Sequence, residues 1–113
     1  MAGRLPAHLE AGGLMRAVNA AGGFATVLHH GSDEQGTILV LLTENGANPR
    51  LFERMPRVDG DPEWTALTMD PAELLRNSGG YLDRRTAQDP DLWVIELDIA
   101  QGERFILSDD RAD

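Results

Sequence analysis

The spacing of apolar residues changes several times along the chain, and each change marks an element. Ala7, Ala11, Leu14, Val18 and Ala21 fall on one helical stripe with Met15 beside it, which predicts a helix that ends at Gly22-Gly23. Gly12 and Gly13 lie inside that helix and cost on the order of 2 kcal/mol relative to two alanines, so close packing against another element, or a break, is expected there. Residues 24–30 read as a strand, 31–36 as a loop and 37–43 as a second strand. Residues 38–42 are apolar on both faces, the mark of a central strand covered on each side, with helices on one side and a partner subunit on the other. Asn45-Gly46 is a hairpin-turn signal, so a third strand follows near 49–54. Pro49, Arg50, Glu53 and Arg54 suit an exposed edge.

Residues 55–62 form a polar stretch with two prolines, and 63–68 read as a short fourth strand. Asp70-Pro71-Ala72-Glu73 combines an N-cap aspartate, a proline at the first helical position and a glutamate near the reciprocal capping position. The helix it starts has an apolar face of Leu74, Leu75, Tyr81 and Leu82, is prone to splitting at Ser78-Gly79-Gly80, and stops before Pro90. Residues 92–99 alternate Trp93, Ile95, Leu97 and Ile99 with Leu92, Val94, Glu96 and Asp98. That pattern predicts a last strand with one buried side, followed by a turn at Gly102 and a short extended segment at 105–107. The order implies an α+β fold: a mostly antiparallel sheet of four or five strands with two helices packed on one face.

A length of 113 residues suits one domain covering 1–113. The charge is uneven, because 89–113 holds eight acids against Arg104 and Arg111 within a net charge of -9. An acidic tail is expected from about 108. A duplex nucleic acid needs a positive stripe to displace phosphate counterions, so this balance argues against that partner and disfavours an RNA-associated role. The longest aliphatic run, 38–42, is far short of the roughly 20 residues that span a bilayer, and residues 1–18 hold no continuous apolar segment for export. Residence in the cytoplasm is the expectation. All ten basic residues are arginine, and the chain has neither lysine nor cysteine. No thiol nucleophile, disulfide, thiolate-held metal or Schiff-base lysine is available.

Most of the chain also has a recognisable cast. Arg4-Leu5-Pro6-Ala7-His8-Leu9-Glu10, Ala20-Ala21-Gly22-Gly23-Phe24-Ala25, Gly36-Thr37-Ile38-Leu39-Val40, Leu51-Phe52-Glu53-Arg54-Met55 and Tyr81-Leu82-x-Arg84-Arg85-x-x-Gln88-Asp89-Pro90-Asp91-Leu92-Trp93-Val94-Ile95-Glu96-Leu97-Asp98-Ile99 resemble the alphaproteobacterial family known as domain of unknown function 1491. The resemblance runs from about Arg4 to Ile106, and the Asp-Pro-Asp-Leu-Trp stretch with its preceding arginine pair is its most distinctive part. It implies a single-domain cytoplasmic bacterial protein and brings no activity, substrate or catalytic residue with it. The chain departs from the family at His29-His30, where relatives tend to carry basic residues, and at Gly79-Gly80.

Few side chains are placed for chemistry. His29 and His30 are adjacent on a strand and point to opposite faces, and His8 lies on another element, so no metal is expected. Ser32, between His30 and Asp33, lacks the elbow that exposes a catalytic serine. Neither glycine-rich phosphate fingerprint is present, and no cofactor is expected. Glu96 and Asp98 share a strand face with Cα atoms roughly 6 to 7 Å apart. The better candidate is a ligand-binding group of Tyr81, Arg84, Arg85 and Trp93. The first three share a helix face at i, i+3 and i+4 and Trp93 begins the adjoining strand, so an aromatic platform stands beside guanidinium groups that hold a carboxylate or phosphate. The competing reading has the two arginines paired with Asp89 or Asp91 and Trp93 in the core.

Two functions follow. The first is a non-catalytic accessory or protein-interaction module, with a homodimer formed through the uncovered sheet face. The second is a small-molecule enzyme or ligand sensor that binds an anion through Arg84 and Arg85, with Glu96 or Asp98 as proton acceptor.

Overall fold

The computed structural model describes residues 6–34, 36–54, 63–76 and 79–107. Helix α1 (Ala7–Ala20) leads into strands β1 (Phe24–His29), β2 (Ile38–Glu44), β3 (Ala47–Arg54) and β4 (Trp64–Leu67). Helices α2 (Pro71–Leu74) and α3 (Tyr81–Gln88) then precede β5 (Trp93–Asp98) and a 3₁₀ turn, Gly102–Phe105. The five strands form one sheet in the order β1-β5-β2-β3-β4. Every pairing is antiparallel except β2 with β5, which run parallel at the centre.

The two apolar faces of β2 explain how the layers divide. Ile38, Val40 and Leu42 join Phe52, Trp93, Ile95 and Leu97 beneath Ala7, Ala11 and Val18 of α1. Leu39 and Leu41 join Leu51, Leu92 and Val94 beneath Leu74, with Tyr81 and Leu82 packed against them. The helices therefore sit on opposite faces, not on one. A strand apolar on both sides demands cover on both, and this chain supplies it from its own helices.

Helix α1 continues unbroken through Gly12-Gly13. A side chain at Gly12 would meet only the Arg16 guanidinium, at 3.2 Å, so no neighbouring element packs closely on the pair. The first amides of the helix are satisfied by the loop after β1, since Ala7 N–H donates to Glu34 O and His8 N–H to Asp33 O, each at 3.1 Å. The hairpin turn stands where Asn45-Gly46 signalled it. Both residues take positive φ, 54° and 78°, and both amides donate to the Asp98 carboxylate, at 2.7 and 3.0 Å.

Strand β3 is not the edge. It is flanked by β4, and alternation places Arg50, Phe52 and Arg54 on the α1 face, where Arg50 meets Glu103 and buried Arg54 meets Glu10 at 3.0 Å. Its charges serve internal pairs, so they did not signal exposure. Strand β5 is buried on both sides, because β1 and β2 flank it and α2 and α3 lie over Leu92 and Val94. The segment after Gly102 is a 3₁₀ turn that buries Ile106, not an extended strand.

Asp70 caps α2 as read, its Oδ1 accepting from Ala72 N–H at 3.0 Å. The second helical region is split: α2 ends at Leu74 and α3 starts at Tyr81, with Gly79 at φ 74° between them. That conformation favours glycine and turns the chain out of the helical path. The expected polar stretch at 55–62, Ser78 and the acidic tail from 108 lie outside the described residues.

Candidate functional site

The four residues singled out on the sequence separate onto the two faces of the sheet. Trp93 opens β5 on the α1 face, is buried, and donates its indole N–H to Ser32 O at 2.6 Å. The His30 ring lies against it, with centroids 4.2 Å apart. Tyr81 packs on the opposite face. Alternation along β5 sends odd and even positions to different sides, so Trp93 cannot reach the α3 arginines.

Tyr81 and Arg85 do come together. The Arg85 guanidinium donates to Tyr81 Oη at 2.6 Å and to Glu53 Oε2 at 2.8 Å, and its carbon lies 5.6 Å from the Tyr81 ring centre. Burial lowers its pKa, and the hydrogen bonds and charge interactions with Glu53 and Tyr81 outweigh that effect, so the group is held above its ordinary value. Arg84 points elsewhere, to Glu73 Oε2 at 3.0 Å and Gly79 O at 3.4 Å. The arginines pair with Glu53 and Glu73, not with Asp89 or Asp91. Asp89 instead accepts from Asp91 N–H at 3.2 Å.

A cleft of about 390 Å³ opens on this same face, between the β1 side of the sheet and the helices α2 and α3. Leu28, Leu41, Leu74, Leu75, Leu82 and Val94 give it apolar walls, and His29, Arg76, Asp83, Thr86 and Glu96 supply its polar groups. Of the acids, Asp83 accepts from Gly79 N–H at 2.8 Å and so closes the start of α3. Glu96 is half-buried and accepts from the Thr43 hydroxyl at 2.8 Å, its remaining oxygen bearing no bond to a described residue. His29 Nδ1 lies 2.7 Å from Leu92 O, which makes Nδ1 the protonated nitrogen and leaves Nε2 an acceptor in the neutral ring. Arg76 has Glu73 at 3.8 Å.

The cleft borders an edge strand with apolar side chains open to solvent. Phe24 is 75% exposed, and Val27 and Leu28 are exposed beside it. The register slips between Val27 and His29, a bulge that brings Leu28 and His29 together at the cleft. On the sequence, Glu96 stood out as a proton acceptor and Leu74, Leu75 and Leu82 as an apolar helix face. Their convergence with Leu28 and His29 depends on β1 lying beside β5, a pairing across about 70 residues that no local pattern announces.

No group of three or more metal-ligating side chains exists among the described residues. Among them, no helix is long and apolar enough to cross a membrane.

Residues 5–107 match the family model described as "Protein of unknown function (DUF1491)". Among solved structures, a DUF1491 family protein from Caulobacter crescentus is similar in its crystal structure, with a TM-score of 0.71 at 29% identity, covering 88% of this chain and 92% of that one. An NMR structure of a DUF1491 family protein from the same organism gives a TM-score of 0.75 at 28% identity, covering 94% and 96%. A protein from A. tumefaciens shares the fold, with a TM-score of 0.69 at 24% identity over 92% and 93%. No curated protein matches the chain.

Proposed function

The chain belongs to the DUF1491 family of proteins of unknown function, and from that premise we propose that it is a non-catalytic protein-interaction module that engages its partner along strand β1. The observation that carries this reading is the juxtaposition of an edge strand bearing exposed Phe24, Val27 and Leu28 with an apolar-walled cleft. An edge offers unpaired backbone amides and carbonyls to an incoming strand, and exposed apolar side chains beside it stabilise the added segment. Helices α2 and α3 already cover the β2 and β3 part of their face, which leaves the strip along β1 open on that face to a partner, including a second copy of the chain. The proposed setting is the cytoplasm, where a chain without cysteine forgoes no disulfide.

Binding of a small anion by Arg84 and Arg85 is the less supported alternative. Both guanidiniums already hold carboxylates, and an anion would have to displace Glu73 or Glu53. The test is affinity capture of the tagged full chain from its own host, in parallel with Phe24→Asp/Leu28→Asp and with Arg84→Ala/Arg85→Ala, each checked for an unchanged melting transition. A partner retained by the arginine variant and lost by the strand variant supports the module. Loss with the arginine variant alone overturns it.

A further inference from the structure

We infer that the cleft beside β1 receives a lysine or arginine side chain from the partner protein, with Glu96 as the residue that neutralises its charge. The inference rests on the proposed interaction module and deepens it by naming the partner's chemistry. Leu28, Leu41, Leu82 and Val94 form walls suited to the methylene stem of a long basic side chain, whose charged head needs an acceptor where the stem ends. Glu96 supplies that acceptor: a half-buried carboxylate with a hydroxyl on one oxygen and no cation beside it among the described residues. Thr43, itself fully buried, holds the carboxylate in place.

The neighbouring groups agree in sign. His29 contributes a second acceptor, Nε2, because Leu92 O takes the proton of Nδ1. Asp83 adds another negative charge to the lining, and the one lining cation, Arg76, stands next to Glu73. A carboxylate-bearing guest would face Glu96 and Asp83, whereas a basic one replaces water on an acid that lacks a counterion. The net charge of -9 favours the same class of partner at long range.

The test begins with a phage-displayed library of random dodecapeptides selected on the immobilised full chain, and the dominant sequences are then measured as synthetic peptides by calorimetry. Peptides with a Lys or Arg between apolar residues are expected. Replacing that residue by norleucine, or Glu96 by Gln in the protein, should weaken Kd roughly tenfold or more, the scale of one lost charge-assisted hydrogen bond. Circular dichroism confirms that Glu96→Gln is folded, and Leu28→Ala, at an exposed position, provides a second variant that cuts back the walls without adding charge and should also weaken binding.

Peptides that bind at β1, as mapped by Phe24→Asp, but ignore both replacements overturn the role of Glu96 and leave the interaction module standing. Acidic peptides lost with Arg84→Ala/Arg85→Ala, or no enriched peptide at all, overturn both. Equal affinity for n-butylguanidinium alone overturns a protein partner in favour of a small amine-class ligand. Sedimentation showing self-association that Glu96→Gln abolishes would make the guest a second copy of this chain and overturn a foreign partner.

Discussion

Single ion pairs in this protein differ in kind according to how the fork of each arginine is used. Arg50 grips Glu103 with two parallel bonds, Nε to Oε2 and Nη2 to Oε1, both 2.7 Å. Hydrogen bonding to Arg50 is the main reason the Glu103 carboxyl lies below its ordinary pKa, with burial opposing and the Arg50 charge assisting. A carboxyl whose folded pKa is depressed contributes fully above its unfolded value and loses the contribution as pH falls through the folded one. Glu103→Gln should therefore cost about 1 kcal/mol at neutral pH, and the gap between parent and variant should close as pH falls below the ordinary carboxylate range. Thermal melts of both proteins from neutral to acid pH measure it, and a gap that widens in acid contradicts the assignment. Trp93 shows a different limit at this scale. Its burial and its aromatic character were legible in the sequence, but its partner, Ser32 O, comes from a loop 61 residues away.

Elements were legible where period and punctuation agreed. The stripe of α1, the all-apolar β2, the Asn45-Gly46 turn, the Asp70-Pro71 start and the alternation of 92–99 all lie where sequence spacing put them. Placement in the sheet was not legible, because an apolar strand records that it is covered and not by what. Arg50 and Arg54 suggested an edge for the same reason: a charge pattern reads alike whether its counter-charges are solvent or Glu103 and Glu10. The Arg84-Arg85 pair is instructive here, since neighbours in sequence do unequal work. Arg85 is 22% exposed and ties α3 to β3 through Glu53, whereas Arg84 is 57% exposed and, among the described residues, reaches Glu73 and Gly79 O. Arg85→Ala should cost about 1–2 kcal/mol and raise amide exchange across α3, and Arg84→Ala less than about 0.5 kcal/mol. Urea unfolding together with hydrogen exchange measures both, and equal losses would mean that α3 is not fastened through Glu53.

For the whole molecule, a net charge of -9 would act on the approach of the proposed basic partner more than on its final fit. Raising ionic strength from ~0.01 to ~0.15 M shortens the screening length from about 30 to about 8 Å. The association rate of a selected basic peptide should fall about tenfold over that range while its dissociation rate stays nearly constant. Stopped-flow fluorescence using the peptide's own label reads both rates, and a salt-insensitive association rate would remove long-range steering from the account.

The parallel seam between β2 and β5 also governs the order in which the protein can be assembled. Among the described strands, β1 pairs only with β5, and β5 follows the other four in the sequence. The hairpin strands β2 and β3 can pair early, but the α1–β1 unit waits with its strand backbone unpaired until β5 slots in between β1 and β2. Strand β5 is thus the keystone that joins two halves of the sheet, and until it is in place the backbone of β1 has no neighbouring described strand to satisfy it.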